Sequence, residues 1–156
     1  MRTYLVAIGK RMPAWVTAGF NEYNKRLPQE LRLNLFEVAP MVRSKSTTIQ
    51  KILTEEERHL RAAIPEDSCI VVLDEHGKQL DSPLLSKKLE LWFQQGRDVT
   101  FVIGGADGLA DEIKQSADML WSFSSSTLPH TLVRVILVEQ IYRAWTILKN
   151  HPYHRD

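Results

Sequence analysis

Val99-Thr100-Phe101-Val102-Ile103-Gly104-Gly105-Ala106-Asp107-Gly108 reads as a strand that stops abruptly at a glycine turn. Its first five residues are β-branched or aromatic with no regular polar alternation, the pattern of a strand covered on both faces, and such strands belong to parallel sheets. Four more short runs share this character, at residues 4–8, 31–38, 70–73 and 119–123. Helical periodicity fills the gaps between them. One helix opens near Pro13, a residue suited to a first turn, and ends before Leu27-Pro28. Others cover about 48–63, 110–117 and 131–149, and one starts at the cap-like Ser82-Pro83 and stops at Gly96. Five strands alternating with five helices predict an α/β fold, a mainly parallel sheet with helices on both faces. The length, 156 residues, and a hydrophobic content of 44% suit one domain over 1–156.

The single cysteine, Cys69, sits in the apolar run Cys69-Ile70-Val71-Val72-Leu73, where it reads as a small buried hydrophobe. With no second cysteine there is no intrachain disulfide and no cysteine-based zinc site, which fits a reducing compartment and a cytoplasmic protein. The most apolar region, 132–148, carries Arg134, Glu139, Gln140 and Arg143, so no membrane helix is expected. Net charge is only +1, but it is unevenly spread. Residues 1–61 hold eleven Lys/Arg against six Asp/Glu, residues 62–129 five against eleven, and residues 130–156 four against two. Such asymmetry permits a phosphate-facing surface. The basic, hydroxyl-rich stretch Met41-Val42-Arg43-Ser44-Lys45-Ser46-Thr47-Thr48 reads either as a solvent loop or as one that contacts RNA.

Ligands of parallel α/β sheets sit beyond the carboxyl ends of the strands, which directs attention to three turns. They are Leu73-Asp74-Glu75-His76-Gly77, the glycine turn quoted above, and Ser124-Ser125-Ser126-Thr127-Leu128-Pro129-His130. The glycine turn is neither G-x-G-x-x-G after an early strand nor a P-loop with Lys-Ser/Thr, so dinucleotide and phosphate cradles are unsupported. It does allow backbone to approach a flat ligand, though an ordinary strand-to-helix turn would look the same. The hydroxyl run makes neither a good strand nor a good helix start, and its backbone groups need partners that a purine can supply. A capping turn, with Thr131 as the cap, is the alternative.

The last helix is apolar nearly all round, with Leu132, Val133, Val135, Ile136, Leu137, Val138, Ile141, Tyr142, Trp145 and Leu148. Burial on more than one side points to a second subunit, hence a homodimer. Glu139 and Arg143 stand four apart in the favourable order and read as a structural pair or a functional one. Asn150-His151-Pro152-Tyr153-His154-Arg155-Asp156 closes the chain with groups that bind or move protons. Two histidines without a cysteine or paired carboxylate do not make a metal site, and no metal is expected.

Taken together, Leu73-Asp74, Ile103-Gly104-Gly105 with Gly108-Leu109, Ser124 to His130 with Arg134, Glu139-Gln140 with Tyr142-Arg143-Ala144-Trp145, and Asn150 to Arg155 resemble the RlmH (YbeA) family of SPOUT-class methyltransferases. The resemblance spans the whole chain, including Gly9-Lys10, Met12-Pro13, Trp15 and Gly19-Phe20. It implies a C-terminal trefoil knot, a homodimer, S-adenosylmethionine as methyl donor, and N3 of a pseudouridine in 23S ribosomal RNA of the assembled ribosome as acceptor. Carried onto this chain, it implies that Leu73, Gly104, Gly105, Ser124, Ser125, Ser126, Thr127, Leu128 and Pro129 hold the donor, with Phe123 beside them.

Methylating N3 requires loss of an imide proton, for which His154, Tyr153 and Asp107 are candidate acceptors. Arg143 joins His154 and Tyr153 as a catalytic candidate. His130, Arg134 and Arg155 are candidates for holding the substrate, the arginines by meeting developing charge on the base or a phosphate. The tail, 151–155, is expected to close over donor and base across the dimer interface. Two rival readings are a ribosome-associated factor without the donor and a Rossmann-type nucleotide-binding protein. The second lacks its glycine fingerprint, because the first strand ends Ile8-Gly9-Lys10.

Overall fold

The structure is a computed structural model that describes residues 1–155; Asp156 lies outside the described residues. In chain order the elements are β1 (Thr3–Ile8), α1 (Ala14–Asn24), β2 (Leu33–Val38), α2 (Ile49–Ala63), β3 (Cys69–Gln79), α3 (Ser82–Gln95), β4 (Val99–Ile103), α4 (Asp111–Ser116), β5 (Met119–Ser122) and α5 (His130–Leu148). The helix boundaries follow from local chemistry. Thr48 caps α2 by accepting from Lys51 N, and Gly96 ends α3 in the left-handed conformation. Asp81 rather than Ser82 caps α3, accepting from Leu84 N at 2.8 Å with a proline in the first turn. Thr131 caps nothing: α5 begins at His130 behind Pro129, with no side-chain cap.

The five strands form one wholly parallel sheet in the order β2-β1-β4-β3-β5. Alternate residues of each strand enter opposite layers. Leu5, Ala7, Val71, Phe101 and Ile103 pack against α1, α3 and α5 through Phe20, Leu85, Leu89, Trp92, Leu137 and Ile141. Val6, Ile8, Val72 and Val102 meet Leu60 of α2 and Ile113 of α4 on the other side. Both faces are thus covered, as the unbroken apolar runs predicted. Cys69 is buried in the first of these layers, and burial pushes its thiol pKa up, away from nucleophilic use. No helix among the described residues is long and apolar enough to cross a membrane.

Two strand boundaries differ from the sequence reading by two residues or more, the others by one at most. Leu31 lies in a short 3-10 turn, Gln29–Leu31, behind Pro28, so β2 starts two residues later than expected. The third strand does not end at Leu73. Both Leu73 and Lys78 face Trp121 of β5, so residues 74–77 leave the ladder as a bulge and β3 then resumes to Gln79. Gly77 permits this, because a Cβ there would stand 2.6 Å from the Leu120 carbonyl carbon and 2.7 Å from Trp121 N.

Candidate functional site

Because every strand runs the same way, all five carboxyl ends lie on one edge of the sheet. Beyond β3, β4 and β5 that edge opens into a crevice of about 660 Å³. This is within the range of sites for ligands of nucleoside size. Its walls are the β3 bulge, the glycine turn and the serine-rich loop, the three segments singled out from the sequence.

The glycine turn is closed by Gly108 N donating to Gly105 O at 3.1 Å, with Gly108 at φ +79°. Its glycines answer first to the chain itself. A Cβ on Gly104 would lie 2.6 Å from Gly108 O, and one on Gly105 would lie 2.8 Å from Ile8 Cγ2. The close approach expected toward a ligand is thus, at these two Cβ positions, an approach to neighbouring protein.

The serine-rich loop is shaped by its own hydroxyls. Ser122 Oγ donates to Ser124 O at 2.8 Å, and Ser126 N donates to Ser124 Oγ at 3.0 Å. Thr127 Oγ1 crosses to Glu75 Oε2 at 2.8 Å, tying the loop to the bulge. The main-chain N–H groups of Thr127 and Leu128 make no hydrogen bond among the described residues. Leu73, Gly104, Gly105, Ser124, Ser126, Thr127, Leu128 and Pro129 all line the crevice, as do Phe123, His130 and Val133; Ser125 does not.

The acidic groups of the crevice are partnered. Asp74 faces Lys114 at 3.4 Å, Glu75 holds Thr127, and Asp107 is paired with Arg43 from the basic loop. That loop is therefore docked beside the site. Met41 N also donates to Glu56 Oε2 at 2.9 Å, and Glu56 is a buried carboxylate of α2 next to Gly105. Sequence reasoning named Asp107 but missed Arg43, Glu56 and Lys114 as neighbours of the crevice, since only the strand order brings them there.

Arg134 is not on the crevice wall. It is 1% exposed, with Nη1 donating to Glu37 Oε2 at 2.7 Å and Nη2 to Gly9 O at 2.8 Å. The guanidinium pins the start of α5 to the end of β1. The guanidinium offered as a substrate-holding candidate is here bonded to the chain itself. Burial, with the Arg134 charge nearby, pushes the His130 pKa down, so the imidazole in the crevice is held neutral.

The remaining candidates gather at the other end of α5. Glu139 Oε1 accepts from Arg143 Nε at 3.0 Å and from Tyr153 Oη at 3.0 Å, while Gln140 Nε2 holds Glu139 Oε2 at 2.7 Å. The Tyr153 ring stands 4.7 Å from that of Tyr142, and the Arg143 guanidinium lies 4.9 Å above it. His151 N donates to Thr146 O, so the tail folds back on its helix instead of fraying. Burial and hydrogen bonds with Tyr23 and Glu139 raise the Tyr153 pKa strongly; this phenol keeps its proton. Neither Arg143, Tyr153, His154 nor Arg155 lines the crevice of its own chain. From His130 to Arg143 the helix rises about 20 Å at ~1.5 Å per residue. Among the described residues no group of His, Cys, Asp and Glu has the arrangement of a metal site.

A parallel, doubly covered sheet with a nucleoside-sized crevice at its carboxyl edge defines an α/β domain whose strand-end loops enclose a space of ligand size. The family model described as "Predicted SPOUT methyltransferase" matches residues 1–154, and the chain belongs to that family. It is 50% identical over 155 residues, 99% of each chain, to proteins named "Ribosomal RNA large subunit methyltransferase H" from Burkholderia mallei (strain SAVP1) and Burkholderia pseudomallei (strain K96243). A probable methylase family protein of Haemophilus influenzae Rd KW20 shares the fold, with a TM-score of 0.58 at 12% identity over 99% of this chain and 70% of the other.

Proposed function

We propose that this chain transfers a methyl group from S-adenosylmethionine to N3 of a pseudouridine in 23S ribosomal RNA. It acts on the assembled ribosome in the cytoplasm, as a trefoil-knotted homodimer. The relatives' names point to large-subunit ribosomal RNA, and the resemblance of the site motifs to the RlmH family narrows this to the pseudouridine. The observation that carries the reading is the division of labour along α5: a nucleoside-sized crevice at its start and a cluster of proton-handling groups at its end.

The crevice fits the donor. Leu73 and Val133 offer apolar walls to a purine, and the Thr127 and Leu128 N–H groups are left for its acceptors. When bound, S-adenosylmethionine supplies an electrophilic methyl group on a sulfonium. The chain's own contribution is mainly positioning, since holding two reactants in line removes much of the entropic barrier. Neutral His130 at the mouth adds no positive charge against a cationic ligand.

The proton of N3 needs an acceptor. Tyr153 is held protonated and Asp107 is engaged in an ion pair with Arg43, so this reading gives the role to His154. Glu139, Arg143 and Tyr153 then serve to position the tail. Since the tail lies far from its own chain's crevice, it acts on the crevice of a second subunit, and Arg155 reaches the RNA there. Mass mapping of 23S ribosomal RNA from cells lacking the protein tests this. The reading expects one methyl group to vanish from one pseudouridine and to return when purified protein and donor are added to the ribosomes. An unchanged methylation pattern overturns it. Calorimetry separates it from a donor-free ribosome factor, which would give no saturable heat with S-adenosylmethionine.

A further inference from the structure

Charge is sorted along the carboxyl edge of the sheet. Over β3 and β4 stand Asp74, Glu75 and Asp107, each already partnered. Over β1 and β2 the chain is basic. These two strands leave the sheet side by side, with Ile8 opposite Val38 and Gly9 N donating to Val38 O at 2.7 Å. From their ends the turn with Lys10 and Arg11 and the loop with Arg43 and Lys45 project into solvent. Lys10, Arg11 and Lys45 are exposed and have no carboxylate within ion-pair distance among the described residues. Arg11 is held at φ +58°, a conformation rarely adopted by a residue with a side chain.

The opposite edge behaves differently. There Arg2 pairs with Asp98 at 3.0 Å, Arg97 faces Asp118 at 3.8 Å, and Arg32 donates to the carbonyls of Leu27 and Lys25. Lys10, Arg11 and Lys45 thus stand together on the crevice side without a carboxylate, whereas Arg2, Arg97 and Arg32 at the opposite edge are engaged. Neighbouring strands are ~4.8 Å apart, so the ends of β1 and β2 lie within about 10 Å of the glycine turn on β4.

We infer that the β1–β2 end of this edge is the docking surface for the RNA backbone, with Lys10, Arg11 and Lys45 meeting phosphates and Arg43 positioning the loop against the crevice. The inference rests on the methyltransferase reading and adds where the RNA lies. Arg43 holds the loop through Asp107, while Met41 and Glu56 fix its stem, so Lys45 is presented at a set height beside the donor site. Backbone contacts of this kind carry affinity and register rather than sequence. They also carry salt dependence, because each neutralised phosphate releases counterions.

The test compares wild-type protein with K10A/R11A/K45A and with R2A/R58A/K87A, a control removing the same charge from residues that do not line the crevice. Binding to ribosomes from cells lacking the protein is measured from 50 to 200 mM salt, with methylation kinetics and calorimetric affinity for S-adenosylmethionine in parallel. At ~0.7 in log–log salt slope per phosphate of a single strand, the first triple variant should lose about 2 from the slope. Its ribosome affinity should fall at least about tenfold at low salt, with donor affinity within about twofold of wild type. The control should match wild type in all three. R43A should raise KM for ribosomes and R43K restore part of it, the signature of a positioning residue. Equal slopes for wild type and K10A/R11A/K45A overturn the docking surface, as does an equal loss in the control. Wild-type protein that neither binds nor methylates ribosomes overturns the methyltransferase reading as well.

Discussion

Replacing Gly104 by alanine should damage both stability and donor binding, for a reason that is steric rather than conformational. A Cβ there would lie 2.6 Å from Gly108 O, 2.8 Å from Gly108 C and 2.8 Å from Leu109 Cγ. Two of these atoms are backbone, in a turn already fixed by the Gly108 to Gly105 hydrogen bond, so no side-chain rotation relieves the overlap. Overpacking of this kind costs about 1–3 kcal/mol. Taking ~2 kcal/mol, and about 2–4 °C per kcal/mol for a domain of this size, Tm should fall by about 4–8 °C. Because the turn must move to fit the methyl group, affinity for S-adenosylmethionine should drop by about tenfold or more, equivalent to ~1.4 kcal/mol. Differential scanning fluorimetry with and without donor, together with calorimetry, measures both. Gly108 is the internal contrast: nothing lies within 4 Å of its would-be Cβ, but φ is +79°. G108A should cost ~1–2 kcal/mol from the left-handed conformation alone, and G108N less, since asparagine tolerates that region. Wild-type Tm and donor affinity in G104A, or equal damage in G108N, would refute the reasoning.

E139A releases Arg143, Gln140 and Tyr153 together, so methylation kcat should fall by about tenfold or more while donor affinity stays within about twofold; unchanged kcat would separate the tail from catalysis. R134M removes a buried cation from the carbonyls of Ile8 and Gly9 and from Glu37. Breaking a fully buried pair costs about 3–5 kcal/mol, and because Glu37 is 32% exposed and rehydrates, urea denaturation should show about 2–3 kcal/mol. His130 has its pKa lowered by burial and by Arg134, so as pH drops through the ordinary histidine range the unfolded chain binds more protons than the folded one, and stability is lost as pH falls. H130N should flatten the stability profile on the acid side of neutrality, with wild type and variant converging above it; parallel profiles would show that this group does not titrate as described.

Much of the sheet was legible because its strands announce themselves. Val99–Ile103 occupies β4 as read, and the apolar runs around Leu5, Val71 and Leu120 became β1, β3 and β5. Unbroken runs without alternation require cover on both faces, so the layering followed from the same residues. The β3 bulge was not legible beyond its turn-like sequence. Asp74-Glu75-His76-Gly77 reads as an end, and only the pairing of Lys78 with Trp121 makes it a detour. Strand order was hidden too, and with it every contact between elements distant in sequence. Arg134 looked like an RNA contact because nothing local places the end of β1 beneath it. The same blindness left Arg43 and Asp107 unconnected and gave no sign that Tyr153 would settle on Glu139, a helix length away from the crevice.

A crystal structure of the protein with S-adenosylmethionine tests the central claim most directly. The account predicts the adenine against Leu73, between the glycine turn at Gly104 and the loop from Ser124 to Pro129, accepting from the Thr127 or Leu128 N–H. Donor bound on another part of the surface, or those three walls closed on one another with no space for a purine, would contradict it.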